Sequence, residues 1–233
     1  MRLNKIILVI VIIFFSCDDS IKYDVIIIGG GAGGTSAAIE ASRNGAKTLL
    51  IEETDWLGGM LTSAGVSAVD GNYKLPSGFW GEFKDSLVSH YGSIDALKTG
   101  WVSNVLFEPR VGNEILKAIA DKEKNLKILY SSKVNSVVQT EGYYNFNLNS
   151  SKGNFSSKVL IDATELGDIL PMLGEDYDIG MDNKEMYDED IAPSKKNDVI
   201  QDLTYVMILK NFGKSMKIEK PIDYDPSEFY CST

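Results

Sequence analysis

Along the chain, uninterrupted apolar runs alternate with stretches of helical period. Tyr23-Asp24-Val25-Ile26-Ile27-Ile28 ends in four apolar residues without polar alternation. That is the pattern of a strand covered on both faces of a parallel sheet. A helix is predicted from Ala32 to about Asn44, with Ala37, Ala38 and Ala41 as a small-residue face and Gly45 placed for a left-handed cap. Thr48-Leu49-Leu50-Ile51 is a second covered strand, ending at Glu52 and Glu53. Farther on, Ile115, Leu116 and Ile119 share one face of a helix predicted from Val111 to about Lys124. Four β segments follow, Lys127–Tyr130, Lys133–Thr140, Tyr143–Asn149 and Lys158–Asp162, separated by polar or glycine-bearing turns such as Glu141-Gly142. Residues 175–190 are acidic and turn-rich and read as a solvated linker, and Asp202–Leu209 reads as a strand. The pattern predicts an α/β fold with a parallel sheet and a β-meander over residues 20–172. Residues 173–233 then form a linker and the start of a β-rich substrate domain.

Composition narrows the function. The 233 residues are 44% hydrophobic and 24% charged, a globular balance, with a net charge of −10 from 23 basic and 33 acidic residues. A polyanion would be repelled, and no local basic patch offsets that field, so nucleic-acid binding is excluded as an expectation. One His and two Cys do not make a His/Cys zinc cluster or a disulfide scaffold. Paired acids between Glu175 and Asp190 lack the spacing of a D-x-D-x-D-G calcium loop.

The first residues form an address. Arg2 and Lys5 precede the apolar run Ile6–Phe15, and Ser16-Cys17-Asp18-Asp19 follows. Ten residues would span about 15 Å as a helix, half of a hydrocarbon core of about 30 Å, so the run describes a secretory signal rather than a spanning helix. Ser16-Cys17 resembles a bacterial lipoprotein processing site, although Phe14 and Phe15 depart from the small or aliphatic residues usual there. The resemblance implies a signal over residues 1–17, lipidation of Cys17, and a membrane-anchored protein of the bacterial cell envelope facing the periplasm or exterior. Cys231 would then have no partner within the chain.

The first strand runs directly into Gly29-Gly30-Gly31-Ala32-Gly33-Gly34, which contains G-x-G-x-x-G at Gly29, Gly31 and Gly34. The first glycine permits the tight turn, the second lets a diphosphate approach the backbone, and the third lets the helix pack on the strand. Free N–H groups and the helix dipole then favour the phosphates. Glu52, at the tip of the second strand, can accept from ribose hydroxyls, and Glu53 beside it disfavours a 2′-phosphate. No G-K-[ST] follows, so this is not a triphosphate P-loop. The strand–turn–helix–strand context makes the fingerprint a dinucleotide site.

Trp56-Leu57-Gly58-Gly59-Met60-Leu61-Thr62 indicates which dinucleotide. An NAD domain has no need of a second glycine pair after the ribose-binding strand, whereas an extended FAD needs bare backbone near its ribityl and flavin end. With Phe107-Glu108-Pro109 and Asp162-Ala163-Thr164-Glu165-Leu166-Gly167-Asp168, the chain resembles glutathione-reductase-type two-dinucleotide-binding flavoproteins. More narrowly it resembles the bacterial FAD-dependent oxidoreductases with L-G-G-M, F-E-P and D-A-T-E-x-G-D patterns, from about Tyr23 to Thr233. The resemblance implies a Rossmann-like FAD-binding domain. In it, Gly29, Gly31, Ala32, Gly33 and Gly34 contact the diphosphate and Glu52 the adenosine ribose. Gly58, Gly59 and Met60 approach the ribityl chain, and the Val134 backbone meets adenine. Ala163, Thr164 and Gly167 form the strand-end motif beside the cofactor. Glu165 departs from the A-T-G of the wider superfamily but agrees with the narrower family. Asp168 reads equally as a carboxylate near the cofactor and as a cap of the next helix.

These features point to an FAD-dependent oxidoreductase moving hydride or electrons between flavin and an unidentified small or carbohydrate-like substrate. Alternatives are a non-catalytic envelope binding protein on a flavoprotein scaffold and an NAD-linked dehydrogenase. No residue is assigned a catalytic role. His90 reads as the end of a surface helix, and Cys231 has no second cysteine at redox spacing. Trp56, Trp80 and Trp101 fit either a sugar-stacking site or a core. Asp225-Pro226-Ser227-Glu228 opens like a helix with only five residues after it. Family members are much longer, so the chain reads as an N-terminal fragment that alone holds FAD weakly or not at all.

Overall fold

The computed structural model describes residues 20–100, 103–149 and 153–227. The signal, Cys17, Trp101 and Cys231 lie outside the described residues. In chain order the elements are β1 (Ile21–Ile28), α1 (Ala32–Arg43), β2 (Thr48–Ile51), β3 (Ala68–Val69), α2 (Gly78–Tyr91), β4 (Val105–Leu106) and α3 (Pro109–Ala120). β5 (Leu126–Leu129), β6 (Val134–Thr140), β7 (Tyr143–Leu148), β8 (Phe155–Asp162), α4 (Ile169–Leu173) and α5 (Lys184–Tyr187) follow.

Six strands form one sheet in the order β5-β2-β1-β8-β7-β6, and β3 and β4 make a separate small ladder. β5, β2, β1 and β8 are parallel, whereas β7 and β6 continue the sheet antiparallel as a meander. Register aligns Ile28 with Ile51 and Asp162, and Ile51 with Leu129, so four carboxyl ends share one edge. In doubly wound sheets that edge is where ligands bind.

The uninterrupted apolar strands are explained by two cores. Ile27 and Leu50 face a cluster built with Ala38 and Ile39 of α1, Phe83 and Leu87 of α2, and Leu116 and Ile119 of α3. Ile26, Ile28, Leu49 and Ile51 face the opposite cluster, built with Val134, Val137, Phe146 and Leu148 of the meander and Ile169 of α4. Side chains alternate between faces along a strand, so a strand packed on both sides must be apolar at every position. The third glycine of the fingerprint permits this packing: a Cβ on Gly34 would lie 1.9 Å from the Gly29 carbonyl oxygen.

Several boundaries differ from the sequence expectation. α3 starts two residues early because Pro109, with its preset φ and missing N–H, occupies the first turn. β8 begins at Phe155 rather than Lys158, because its first residues pair with both β1 and β7. α2 ends where the sequence expectation placed a helix end, with His90 in its last turn beside the left-handed Gly92, although its start at Gly78 was not anticipated. The predicted strand Asp202–Leu209 is absent: that segment has no ladder, and Leu203, Tyr205 and Leu209 are 89%, 95% and 83% exposed. Trp80 packs against the first core, in ring contact with Phe83, and does not line the cleft described below. Among the described residues no helix is long and apolar enough to cross a membrane. No group of three or more His, Cys, Asp or Glu is placed to hold a metal ion among them.

Candidate functional site: a cleft at the carboxyl edge of the sheet

A cleft of about 380 Å³ opens at the shared carboxyl edge, lined by the ends of β1, β2 and β8, the turn after β2, and the start of β6. Its floor is two glycine turns joined through their backbones. Gly58 N–H donates to the Gly30 carbonyl at 2.8 Å, and Gly31 and Gly58 form a parallel bridge. The second turn is fixed from below. Asn113 of α3, buried, accepts from Leu57 N–H at 2.9 Å, and Thr62 Oγ1 donates to the Leu57 carbonyl at 2.5 Å.

The first turn leads into α1, whose N-terminus carries no side-chain cap and no acidic residue in its first turn. No residue of α1 itself caps these amides, a setting that favours an anion. The opposite end is compensated. Arg43 in the last turn pairs with Glu40, Glu82 and Glu123 at 2.9, 2.7 and 2.8 Å, tying α1 to α2 and to the turn after α3. The Glu82 pairing raises the guanidinium pKa and lowers that of the Glu82 carboxyl.

Glu52 is not a free carboxylate at a strand tip. It is 8% exposed, and its Oε2 accepts from Gly30 N–H at 2.5 Å. Its Oε1 accepts from Thr54 N–H at 2.8 Å and from Thr54 Oγ1 at 2.6 Å. The carboxylate thus stitches β2 to the glycine loop. It also explains Gly30, which the fingerprint leaves unspecified: a Cβ there would lie 2.8 Å from Glu52 Oε2. Behind it, burial first, and then the charges of Asp121 and Glu52, push the Tyr130 phenol up to about 12.

The strand-end motif after β8 folds around Asp162. Its Oδ1 accepts from Thr164 N–H and Oγ1 at 3.0 and 2.7 Å, and its Oδ2 accepts from Ile169 N–H at 3.1 Å. Asp162 therefore takes the first-turn amide of α4. Asp168 makes no side-chain cap and lines the cleft instead. The Glu165 carboxylate lies over the junction of the two glycine turns, 2.7 Å from where a Cβ on Gly59 would stand and 3.3 Å from one on Gly31.

Of the residues singled out in the sequence, Gly29, Gly31, Glu52 and Gly59 line the cleft. So do Met60, Val134, Ala163 and Thr164. Gly34 and Gly58 lie beneath its floor, Ala32 and Gly33 are exposed in the first turn of α1, and Gly167 stands in the loop behind it. Residues not anticipated include Thr54, which holds Glu52, and Asn113. Asn113 had a signal, since it falls on the same helical face as Leu116 and Ala120, where a polar residue in an apolar stripe asks for a buried partner.

These features fit an extended FAD. Gly29 has φ +96°, and a Cβ there would stand 2.3 Å from the Ala163 carbonyl oxygen, so the contact between the chain leaving β1 and the chain leaving β8 can only be bare backbone. The open end of α1 suits a diphosphate, and Glu52 suits a ribose. The ionisable side chains lining the cleft are Glu52, Glu53, Glu165, Asp168 and Lys133, and Lys133 Nζ stands 3.6 Å from Glu53. Backbone amides, not a cluster of basic side chains, are what this cleft offers a diphosphate.

Solved structures similar to the chain include thioredoxin reductase from T. acidophilum, at 25% identity over 60% of this chain and 34% of that one, with a TM-score of 0.36. The bacillithiol disulfide reductase Bdr from Staphylococcus aureus is 21% identical over 61% of this chain and 38% of its own, with a TM-score of 0.40. The OxyS anhydrotetracycline hydroxylase from Streptomyces rimosus is 17% identical over 70% and 36%, with a TM-score of 0.46. The chain thus spans between 34% and 38% of the length of these proteins. No curated protein matches it. The model of the family described as FAD dependent oxidoreductase matches residues 24–231, nearly the whole sequence, and the chain belongs to that family.

Proposed function

We propose that the protein is an FAD-dependent oxidoreductase of the bacterial cell envelope that acts on an unidentified small or carbohydrate-like substrate. The observation that carries this reading is the cleft at the carboxyl edge, where two hydrogen-bonded glycine turns, an uncapped helix end and a buried carboxylate converge. On this reading the amides of Gly31, Ala32, Gly33 and Gly34 hold the diphosphate, with Gly29 giving the turn. Glu52 accepts from the adenosine ribose, and Val134 presents backbone to the adenine. Gly58, Gly59 and Met60 flank the ribityl chain, with Ala163, Thr164 and Gly167 on the other side. The flavin supplies hydride or electron transfer when bound. The chain's residues bind, orient and shield it, and exposed Met60 and Leu166 form an apolar lip where a substrate would approach. The Cys17 thioether-linked lipid is proposed as the anchor.

The test is reconstitution. The purified chain titrated with FAD is expected to show weak, saturable binding, seen as a change in the flavin's visible absorbance, and candidate substrates are then screened anaerobically for bleaching at saturating FAD. Retained flavin that no donor bleaches favours a binding protein. Retention of NAD in place of FAD favours a dehydrogenase. Loss of labelled-lipid incorporation in a Cys17→Ser variant checks the anchor.

A further inference from the structure

We propose that Thr54 is a positioning residue that orients the Glu52 carboxylate toward the cofactor's adenosine ribose. The inference rests on the proposed role of Glu52 as the ribose acceptor.

A carboxylate offers about four lone-pair directions. In Glu52 three are taken by the protein: Oε2 by Gly30 N–H at 2.5 Å, and Oε1 by Thr54 N–H at 2.8 Å and Thr54 Oγ1 at 2.6 Å. The group is buried and lines the cleft, so the acceptor capacity that remains is what the protein leaves to a ligand. Thr54 therefore sets both the rotation of the carboxylate and the number of acceptors left over.

The hydroxyl is directed as well. Trp56 N–H donates to Thr54 Oγ1 at 3.1 Å, filling one of its lone pairs. The single hydroxyl proton then has two acceptors within reach, Glu52 Oε1 at 2.6 Å and the Trp56 carbonyl at 3.2 Å. The shorter bond to a charged acceptor is the stronger one, so the proton lies on Glu52. The backbone of the turn is secured independently, because Ser131 N–H donates to the Thr54 carbonyl at 2.9 Å and Ser132 N–H to the Glu52 carbonyl at 3.0 Å. Removing the hydroxyl thus takes away one of the three bonds that fix the carboxylate and the acceptor of Trp56 N–H, while the backbone bonds from Ser131 and Ser132 that hold the turn remain.

The experiment measures binding of FAD, ADP and 2′,3′-dideoxy-ADP to the full chain and to its Thr54→Val and Thr54→Ser variants. FAD is followed by quenching of its fluorescence and the adenine nucleotides by competition. Thr54→Val is expected to weaken FAD and ADP about tenfold, the scale of a hydrogen bond to a charged group. Thr54→Ser is expected to stay within about twofold of the native chain on the same grounds. Dideoxy-ADP, which has no ribose hydroxyl to offer Glu52, is expected to bind all three proteins equally. Equal binding of FAD by the valine variant and the native chain overturns the proposal. So does equal weakening of ADP and dideoxy-ADP, which marks Thr54 as a purely structural residue of the turn, or failure of serine to restore affinity. If the native chain binds ADP and dideoxy-ADP equally, the ribose role of Glu52 falls first and the proposal with it.

Discussion

Val25–Ile28 and Leu203–Leu209 are both apolar enough to be strands, yet they end in opposite environments. Ile26, Ile27 and Ile28 are at most 5% exposed, hydrogen-bonded in register to β2 on one side and β8 on the other. Leu203, Tyr205, Met207, Ile208 and Leu209 are between 76% and 95% exposed and pair with no strand among the described residues. An apolar run states only that a segment can be buried. Burial itself requires a partner whose carbonyls and amides match in register and whose side chains fill the other face. β1 has both, because the α1 crossover brings β2 to one side of it and the meander brings β8 to the other.

The largest test of this contrast is a pair of truncations. Leu50→Ala, in the centre of the sheet and fully buried, is expected to cost about 3 kcal/mol or more, whereas Leu203→Ala is expected to stay within about 0.5 kcal/mol. Urea unfolding of both variants checks it, and a comparable loss at Leu203 would show that the segment packs as a strand after all. Next, Gly34→Ala places a methyl 1.9 Å from the Gly29 carbonyl, and the crossing of α1 over β1 must open. About 2 kcal/mol of stability and most FAD retention are expected to go together, measured on one sample by thermal unfolding and bound flavin.

A smaller effect is expected at the mouth of the site. Glu165 adds a carboxylate over the glycine turns, in a cleft already lined by Glu52, Glu53 and Asp168. Removing that charge in Glu165→Gln should tighten FAD binding roughly two- to fivefold and flatten its salt dependence. Weaker binding in the variant would instead make Glu165 a ligand of the cofactor. The smallest effect is alkaline. The raised phenol of Tyr130 means that the folded chain holds this proton more tightly than the unfolded chain does. Its contribution to stability is therefore fully present below about pH 10 and is lost as pH rises toward about 12. Because the ring is only half-buried, less than about 1 kcal/mol is expected, and Tyr130→Phe should remove that part of the pH slope. Tyr23, whose phenol burial also raises, contributes in the same direction.

The site was legible where its chemistry depends on local spacing. Gly29, Gly31 and Gly34 stand at fixed offsets because one turn and one helix start set them, and Glu52 follows from the length of one helix and one strand. Gly30, Thr54 and Asn113 were not legible as parts of the site. Gly30 answers to a carboxylate 22 residues away, and Asn113 to a backbone amide 56 residues away, so no local window contains both partners. Asp168 was ambiguous for the same reason: which acid takes the amide of Ile169 depends on how β8 enters the loop, and Asp162 takes it.

From the sequence alone came the strand–glycine turn–helix–strand unit, the meander, the doubly covered sheet and the class of cofactor, because each rests on periodicity or on backbone freedom within a few residues. Folding in three dimensions determined that β8 lies beside β1, that the two glycine turns hydrogen-bond into one floor, that Glu52 is a buried, three-coordinated carboxylate, and that 202–209 is not a strand. Those outcomes depend on hydrogen bonds between segments far apart in the chain, and such bonds exist only once the whole sheet has closed.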